Sequence, residues 1–460
     1  MSVSHQISFF DGSQPMKITK PIRLIECFAG YGSQALALKY LGVEFEHWKI
    51  AEWAVKSIQA YKDMHFHDDT TNYSAEHSKE WLIDYLFKKG ISADYNKPMT
   101  REQIARMGED KIRRVYNNII ATHNLVSVTN VKGKDLQITD TDNYTYILTY
   151  SFPCQDLSQA GLSKGMQKGS GTRSGLLWEI ERILDDCEEL PQILLMENVP
   201  QVIGEKNRDA FRDWFCKLES IGYKSYYKIM NGKDYEIPQN RERCFMVSCL
   251  GDYYYDFPDA KPLSLKVNDF LDNNVEHRYY LTLEQLIYCF DCKRVCDNSK
   301  RGDLGDSKVN PQIAKTISCR GAESQRADIT NFVVGNNNTE YSLNEIRENI
   351  ISAIKNSHLK ATLEKTKLGE KILSIDTYNR CSYEDVCQTI RANFNSNNEN
   401  FLYDLSGIRK YTPRECFRLM GVKDENFERV AKNQSNSSLY HLAGDSIITN
   451  CLMAIFKEML

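Results

Sequence analysis

Ile22-Arg23-Leu24-Ile25-Glu26-Cys27-Phe28-Ala29-Gly30-Tyr31-Gly32-Ser33 is the stretch that decides the fold. Residues 22–28 read as a buried strand, Ala29 to Ser33 as a tight turn, and Gln34 to Leu41 carries helical periodicity. A second apolar run, His47 to Ala51, ends at Glu52, and a further helix is expected from about Trp53 to Tyr61. Strand, glycine turn, helix, strand and then an acidic residue make a nucleotide-type β-α-β unit. Parallel strands joined by helices imply an α/β sheet whose ligands bind at the carboxyl ends of the strands.

Outward from this unit, the chain from about Lys62 to Thr122 is polar and mostly helical, with Thr100-Arg101-Glu102-Gln103 as a helix start. It reads as an insertion. Strand and helix alternate again to about Leu250, after which the rhythm fades, Tyr and Asn become frequent, and 393–400 is loop-like. The expected division is a first domain over 1–251, a second, smaller and irregular domain over 252–435, and a segment 436–460 returning to the first. The last helix is expected from about Ser446 to Met459.

The 460 residues suffice for two or three domains, and 42% hydrophobic with 26% charged residues is an ordinary globular composition. No uninterrupted apolar run approaches a membrane span and no basic-then-apolar leader opens the chain, so a cytoplasmic protein without membrane contact is expected. Fourteen cysteines in a chain this long suit a reducing compartment. The net charge of -4 argues against non-specific polyanion binding, yet a basic cleft can sit on an acidic protein. Arg409-Lys410, Arg414 and Arg418 form a local basic cluster, for which a solvated face is an equal alternative.

Three segments carry chemistry. Phe152-Pro153-Cys154-Gln155 follows the apolar run Tyr146 to Tyr150 and places a cysteine on a proline-stiffened loop past a strand. Alone it is weak, because buried cysteines are usually inert. Leu194 to Val199 is another strand, ending in Glu197-Asn198, and Gln239-Asn240-Arg241-Glu242-Arg243 sets two guanidiniums before a third apolar run. A cysteine, a carboxylate and arginines at strand edges are what attack on an electron-poor heterocycle needs.

On these residues the chain resembles the DNA (cytosine-5)-methyltransferases of bacteria and their phages. The resemblance runs in family order through Phe28-Ala29-Gly30-Tyr31-Gly32, Glu52-Trp53, Phe152 to Gly161, Gly175-Leu176-Leu177-Trp178, Glu197-Asn198-Val199, Gln239 to Arg243, Tyr411 to Gly421 and Ala443-Gly444-Asp445-Ser446-Ile447. It implies a Rossmann-like S-adenosylmethionine-dependent methyltransferase sheet with a smaller target-recognition domain. Cys154 would be the nucleophile, Glu197 the acid, and Arg241 with Arg243 would orient the base. Phe28, Ala29, Gly30, Gly32, Glu52, Trp53, Ser127, Pro153, Leu177, Asp445 and Ser446 would bind S-adenosylmethionine. The implied substrate is a flipped-out cytosine in a specific double-stranded DNA sequence, and Ser158 to Ser174, with its glycines, would be a mobile lid.

This sequence departs from the family at Glu26, Ser33, Ser151, Ser127 and Asp445, with Asp135 as a second candidate for the place Ser127 takes. The alternatives are a tRNA cytosine-5 methyltransferase and a catalytically silent DNA-binding relative. A large 252–405 span speaks against the first, and intact Pro-Cys and Glu-Asn-Val against the second. A monomer is expected; the sequence leaves open a separately acting cognate restriction endonuclease in a restriction-modification system, an enzyme standing alone, or one protecting a phage genome. Base contacts are sought at Arg320, Arg326, Arg391 and Asn393, where plain polar surface is an equal reading. No metal is expected: Cys289, Cys292 and Cys296 fall in a helical pattern over Thr282 to Cys296, and a polar loop explains His65 and His67 beside Asp68-Asp69.

Overall fold

The computed structural model describes residues 12–154, 157, 165–279 and 411–460, with the backbone of short strands between 314 and 410. The helical pattern 282–296 with its three cysteines, the candidate base contacts Arg320, Arg326, Arg391 and Asn393, and residues 158–164 lie outside the described residues. The chain divides into two compact units: Met1–Met230 with Arg243–Asp259 and Leu452–Leu460, and Asn231–Glu242 with Ala260–Cys451.

In the first unit six described strands form the main sheet: β1 (Ile22–Cys27), β2 (Phe45–Ala51), β3 (Thr145–Tyr150), β4 (Ile193–Asn198), β5 (Tyr223–Asn231) and β6 (Glu242–Leu250). Their order is β2-β1-β3-β4-β6-β5. β2, β1, β3 and β4 are parallel, and β6 runs antiparallel to β4. Every residue of β3 and β4 is buried, as expected of central strands covered on both faces. The register aligns Cys27 with Ala51 and Tyr150, and Tyr150 with Met196. Phe28, Glu52, Ser151 and Glu197 therefore emerge at one edge of the sheet.

Helices α1 (Ser33–Tyr40) and α2 (Val55–His65) follow the first two strands. α2 starts two residues later than its periodicity suggests. Trp53 and Ala54 are held extended by Ser92, whose N–H donates to Trp53 O at 2.8 Å and whose carbonyl accepts from Val55 N at 2.9 Å. The insertion forms α3 (Lys79–Lys89), α4 (Arg101–Ala105) and α5 (Glu109–Ala121). Thr100 and Gln103 make a reciprocal capping box at the start of α4, as the sequence predicts. Leu82, Leu86, Ile104, Ile112 and Ile119 form an apolar cluster that the insertion shares with Ile58 of α2 and with Val126. The main core lies under α6 (Leu177–Asp185) and α7 (Arg208–Ser220), where the buried Trp214 donates to Tyr150 OH at 3.1 Å.

In the second unit, β7 (Phe332–Val333), β8 (Leu373–Asp376), β9 (Cys381–Glu384), β10 (Asn400–Asp404) and β11 (Gly407–Lys410) form an antiparallel sheet ordered β7-β11-β10-β8-β9. Three helices follow, α8 (Pro413–Arg418), α9 (Asp424–Ala431) and α10 (Asn436–Asp445). The division differs from the expected boundary at 251. The connector Asn231–Glu242 packs with the second unit, because Gln239 donates to Leu419 O at 2.7 Å and a Cβ on Gly232 would come within 2.3 Å of Ile448. The closing helix α11 spans Thr449–Met459. Together α10 and α11 make a stretch apolar and long enough to cross a membrane, but it is mostly buried inside the protein.

The basic cluster near 414 is paired. Arg418 bonds Asp272 at 2.9 Å and Asp424 at 2.6 Å, and Arg414 bonds Glu428. For these two side chains the structure favours an ion-pair network over an open basic cleft.

Candidate active site

The chain passes from β1 to β2 on one side and β3 lies on the other, so the sheet reverses its order at β1, where a crevice for a ligand opens. The turn leaving β1 needs unusual backbone. Phe28, Gly30 and Gly32 have φ of 59°, 57° and 82°. A Cβ on Gly30 would meet nothing within 4 Å, whereas one on Gly32 would strike His65 and Tyr61 at 2.3 and 2.6 Å. One glycine therefore keeps space open above the turn, and the other lets the turn sit down on α2.

Glu52 closes the open side. Its carboxylate accepts from Gly30 N at 2.9 Å and from Ala54 N at 2.8 Å, and the residue is buried. Asn124 holds the same residue by its backbone, accepting from Glu52 N at 3.1 Å and donating to Glu52 O at 2.9 Å. The same Asn124 oxygen accepts from Val126 N at 2.8 Å, and Val126 carries φ of 75°, a strained value for a β-branched residue. Ser127 is buried beyond it, its hydroxyl 2.8 Å from that of Thr129. Asp135 is occupied elsewhere, accepting from Lys132 N in its own turn. Open space over Gly30 lies beside the fixed Glu52 carboxylate, and the partly buried Trp53 packs on the apolar cluster of the insertion.

Beneath the turn lies a buried polar network. Tyr61 donates to Glu26 at 2.5 Å, and His47 Nδ1 meets the same hydroxyl at 3.0 Å. Burial pushes the Glu26 carboxyl up to about 7 and the His47 imidazole down to about 3. His65 Nε2 faces the carbonyls of Tyr31 and Gly32 at 2.9 and 3.1 Å, and its Nδ1 faces Lys39 Nζ at 3.2 Å. That makes it a neutral ring with the proton on Nε2, in keeping with burial holding its pKa well below the usual range. His65 is thus a prop for the glycine turn, and among the described residues no cluster is arranged to hold a metal.

At the other end of the edge, Cys154 is partly exposed on the loop after β3. Two carbonyls before it are anchored. Asn198 donates to Phe152 O at 2.9 Å, and the buried Ser174 donates to Pro153 O at 2.7 Å. Glu197 pairs with Arg243 at 3.1 Å, each side chain mostly shielded from solvent. Asn198, next to that carboxylate, is therefore the direct tie between the strand end of β4 and the cysteine loop.

The two arginines divide. Arg243 belongs with Glu197, while Arg241 in the second unit is buried and donates to Gly444 O at 3.0 Å and Ser446 O at 2.7 Å. These contacts hold the turn that carries Asp445 and Ser446. Asp445 lies 3.3 Å from His441, and Ser446 Oγ donates to Ala443 O at 2.8 Å. The side chain of Leu177 has no exposed surface and packs in the main core. Ala29 is buried against Ile50 and Tyr61. Asn124, Tyr61, His65 and Ser174 were not singled out as site residues from sequence. The one nearby hint was Ser127, three residues after Asn124.

Residues 89–460 match the family described as C-5 cytosine-specific DNA methylase. The orphan methyltransferase M.SssI of Spiroplasma monobiae is 41% identical over 332 residues, 67% of this chain and 82% of that protein. The type II methyltransferase M2.ScrFI of Lactococcus lactis subsp. cremoris is 29% identical over 440 residues, 95% of this chain and 99% of that one. Among solved structures, the Entamoeba histolytica methyltransferase EhMeth covers 96% of this chain and 98% of its own with a TM-score of 0.50 at 13% identity, a likeness of fold alone.

Proposed function

Because the chain belongs to the C-5 cytosine-specific DNA methylase family, we propose that it methylates carbon 5 of a flipped-out cytosine in a specific duplex sequence through a covalent Cys154 adduct. The observation that carries the reading is Asn198, which ties the strand end bearing Glu197 to the loop bearing Cys154. When bound, S-adenosylmethionine supplies an electrophilic methyl group.

Carbon 5 of cytosine is a poor nucleophile. A Cys154 thiolate adding to carbon 6 forms a carbon–sulfur bond and pushes electron density to carbon 5 and ring nitrogen 3. Glu197, holding a proton at nitrogen 3, lowers the barrier to that addition. Arg243, 3.1 Å from Glu197, keeps the carboxyl oriented. After transfer, loss of the carbon 5 proton expels the Cys154 sulfur and restores the aromatic ring. Flipping the base out of the duplex costs roughly a few kcal/mol, which contacts to DNA must offset. Gly30, Glu52 and Trp53 would hold the adenosine with Ser127 nearby, and the antiparallel sheet of the second unit would read the sequence. One flipped base needs one active site, so the enzyme works as a monomer in the cytoplasm, independent of any cognate endonuclease.

The test pairs labelled S-adenosylmethionine with unmethylated duplex DNA, for wild type and Cys154→Ala, and maps the product by bisulfite sequencing. Cysteine-dependent 5-methylcytosine in one recurring context is the expected result. Transfer to tRNA in place of DNA, or transfer that survives Cys154→Ala, overturns the reading.

A further inference from the structure

The insertion between α2 and β3 is joined to the cofactor end of the first unit at several points. Ser92, between α3 and α4, holds the backbone of Trp53 and Val55 in a parallel bridge with Ala54. The Ser92 hydroxyl closes its own loop by donating to Lys97 O at 2.8 Å. In that loop Tyr95 OH lies 3.0 Å from Ser57 Oγ on α2. Where the insertion ends, Asn124 grips both backbone groups of Glu52. Trp53 and Val55 pack on the same apolar cluster as Leu82, Ile104 and Ile119, and Val126 is part of that cluster. Every residue from Glu52 to Val55 is thus held by a partner at least 30 positions later in the chain.

We infer that the insertion is part of the S-adenosylmethionine site, with Asn124 and Ser92 as positioning residues that fix the Glu52–Trp53 wall. This rests on the proposed function, since it takes Glu52 and Trp53 as the adenosine wall. The physical reason is preorganisation. A carboxylate and an indole on an extended, edge-like segment would have many orientations, and ordering them on binding would cost affinity. With both backbone groups of Glu52 tied to one amide side chain, that ordering is complete before the ligand arrives. The α-helical alternative for Trp53 and Ala54, which their sequence favours, is blocked by the bridge to Ser92.

The experiment is calorimetric titration of S-adenosylhomocysteine into the full-length protein, wild type against Asn124→Ala, Asn124→Asp, Ser92→Ala and Arg113→Ala. Arg113 ties Glu109 to the carbonyls of Ser74 and His77 within the insertion, without touching the Glu52–Val55 segment. Asn124→Ala, losing three hydrogen bonds, should weaken binding about tenfold or more, and Ser92→Ala about threefold. Asn124→Asp keeps the two acceptor bonds and should fall between wild type and Asn124→Ala, which preserves the test should the alanine variant not fold. Arg113→Ala should bind within about twofold of wild type even if its melting temperature drops. In turnover, the loss should appear in the KM for S-adenosylmethionine and not in the KM for DNA. Folded Asn124 variants that bind as wild type overturn the inference, as does an equal loss in Arg113→Ala, which would mark general loosening. Failure of the wild type to bind overturns the functional reading, and this inference with it.

Discussion

The two ends of the sheet's carboxyl edge are built differently. At the turn after β1, Gly30, Glu52, Ala54, Asn124 and Val126 bond to one another, and Glu26, Tyr61, His47 and His65 fill the space below. At the loop after β3, the described anchors are the carbonyls of Phe152 and Pro153, and the Cys154 side chain keeps access to solvent. The first end is finished before any ligand arrives. The second is fixed in its backbone while Cys154 stays partly exposed. On the proposed function the contrast follows from ligand size, since a small cofactor would be gripped best by a preformed pocket whereas a base would be brought in on its DNA.

The sharpest way to separate the ends is Glu197→Gln. It should lower kcat about 100- to 1,000-fold by removing the proton donor. S-adenosylhomocysteine affinity and the far-UV circular dichroism should stay as in wild type. A loss of cofactor affinity instead of turnover would mean that the two ends are not independent.

Next in size is a pH effect confined to the cofactor end. The Glu26 carboxyl is raised from 4.5 to about 7 in the fold, so its favourable protonated form contributes fully below pH 4.5 and is lost as pH rises towards 7. Glu26→Gln removes this dependence. Its stability relative to wild type should therefore rise between about pH 5 and 8, by up to roughly 3 kcal/mol. His47, depressed to about 3, contributes in the opposite sense, present above pH 6.5 and lost on acidification, but it is common to both proteins and cancels. Urea denaturation at each pH measures the difference, and a flat difference would remove Glu26 from the network.

The glycines sharpen the comparison further. Gly32→Ala meets both a clash and a positive φ, and should cost about 2 kcal/mol or more of stability. Gly30→Ala has only the φ cost, about 1 kcal/mol, yet its methyl enters the space meant for the ligand. Melting curves should therefore rank Gly32→Ala as the worse folder and calorimetry rank Gly30→Ala as the worse binder relative to its stability. The smallest effect belongs to Ser174→Ala, which frees the Pro153 carbonyl and should lower kcat about fivefold while leaving cofactor affinity alone. Ser174→Thr, which retains the hydroxyl, should recover most of the rate, and equal loss in both variants would point to packing instead of the hydrogen bond.

Much of the site was legible because it is written in short stretches. The strand-turn-helix at Ile22 to Tyr40, the carboxylate after β2, the cysteine after β3 and the capping box at Thr100 all fell where local periodicity placed them. The arginines show the limit. Nothing in Arg241-Glu242-Arg243 says which guanidinium reaches the carboxylate, and the structure sends one to Glu197 and the other to Gly444 and Ser446. The cluster at Arg414 and Arg418 left a basic cleft and a solvated face equally open, because nothing local says that Asp424, Glu428 and the distant Asp272 turn towards it. Leu177 is fully buried in the main core, a placement that its motif position does not announce.

Local pattern alone therefore settled the α/β order of the first unit, its family, and the three segments that carry its candidate chemistry. Strand period, turn glycines and the residue after each strand are set within a few positions, and no distant contact can rewrite them. Packing in three dimensions was needed to show that Asn124 grips Glu52 across 72 residues, that Ser92 delays α2, that His65 supports the glycine turn, and which arginine faces Glu197. Those are choices among donors and acceptors of equal local standing. They are settled when the chain packs and each buried polar group must find a partner.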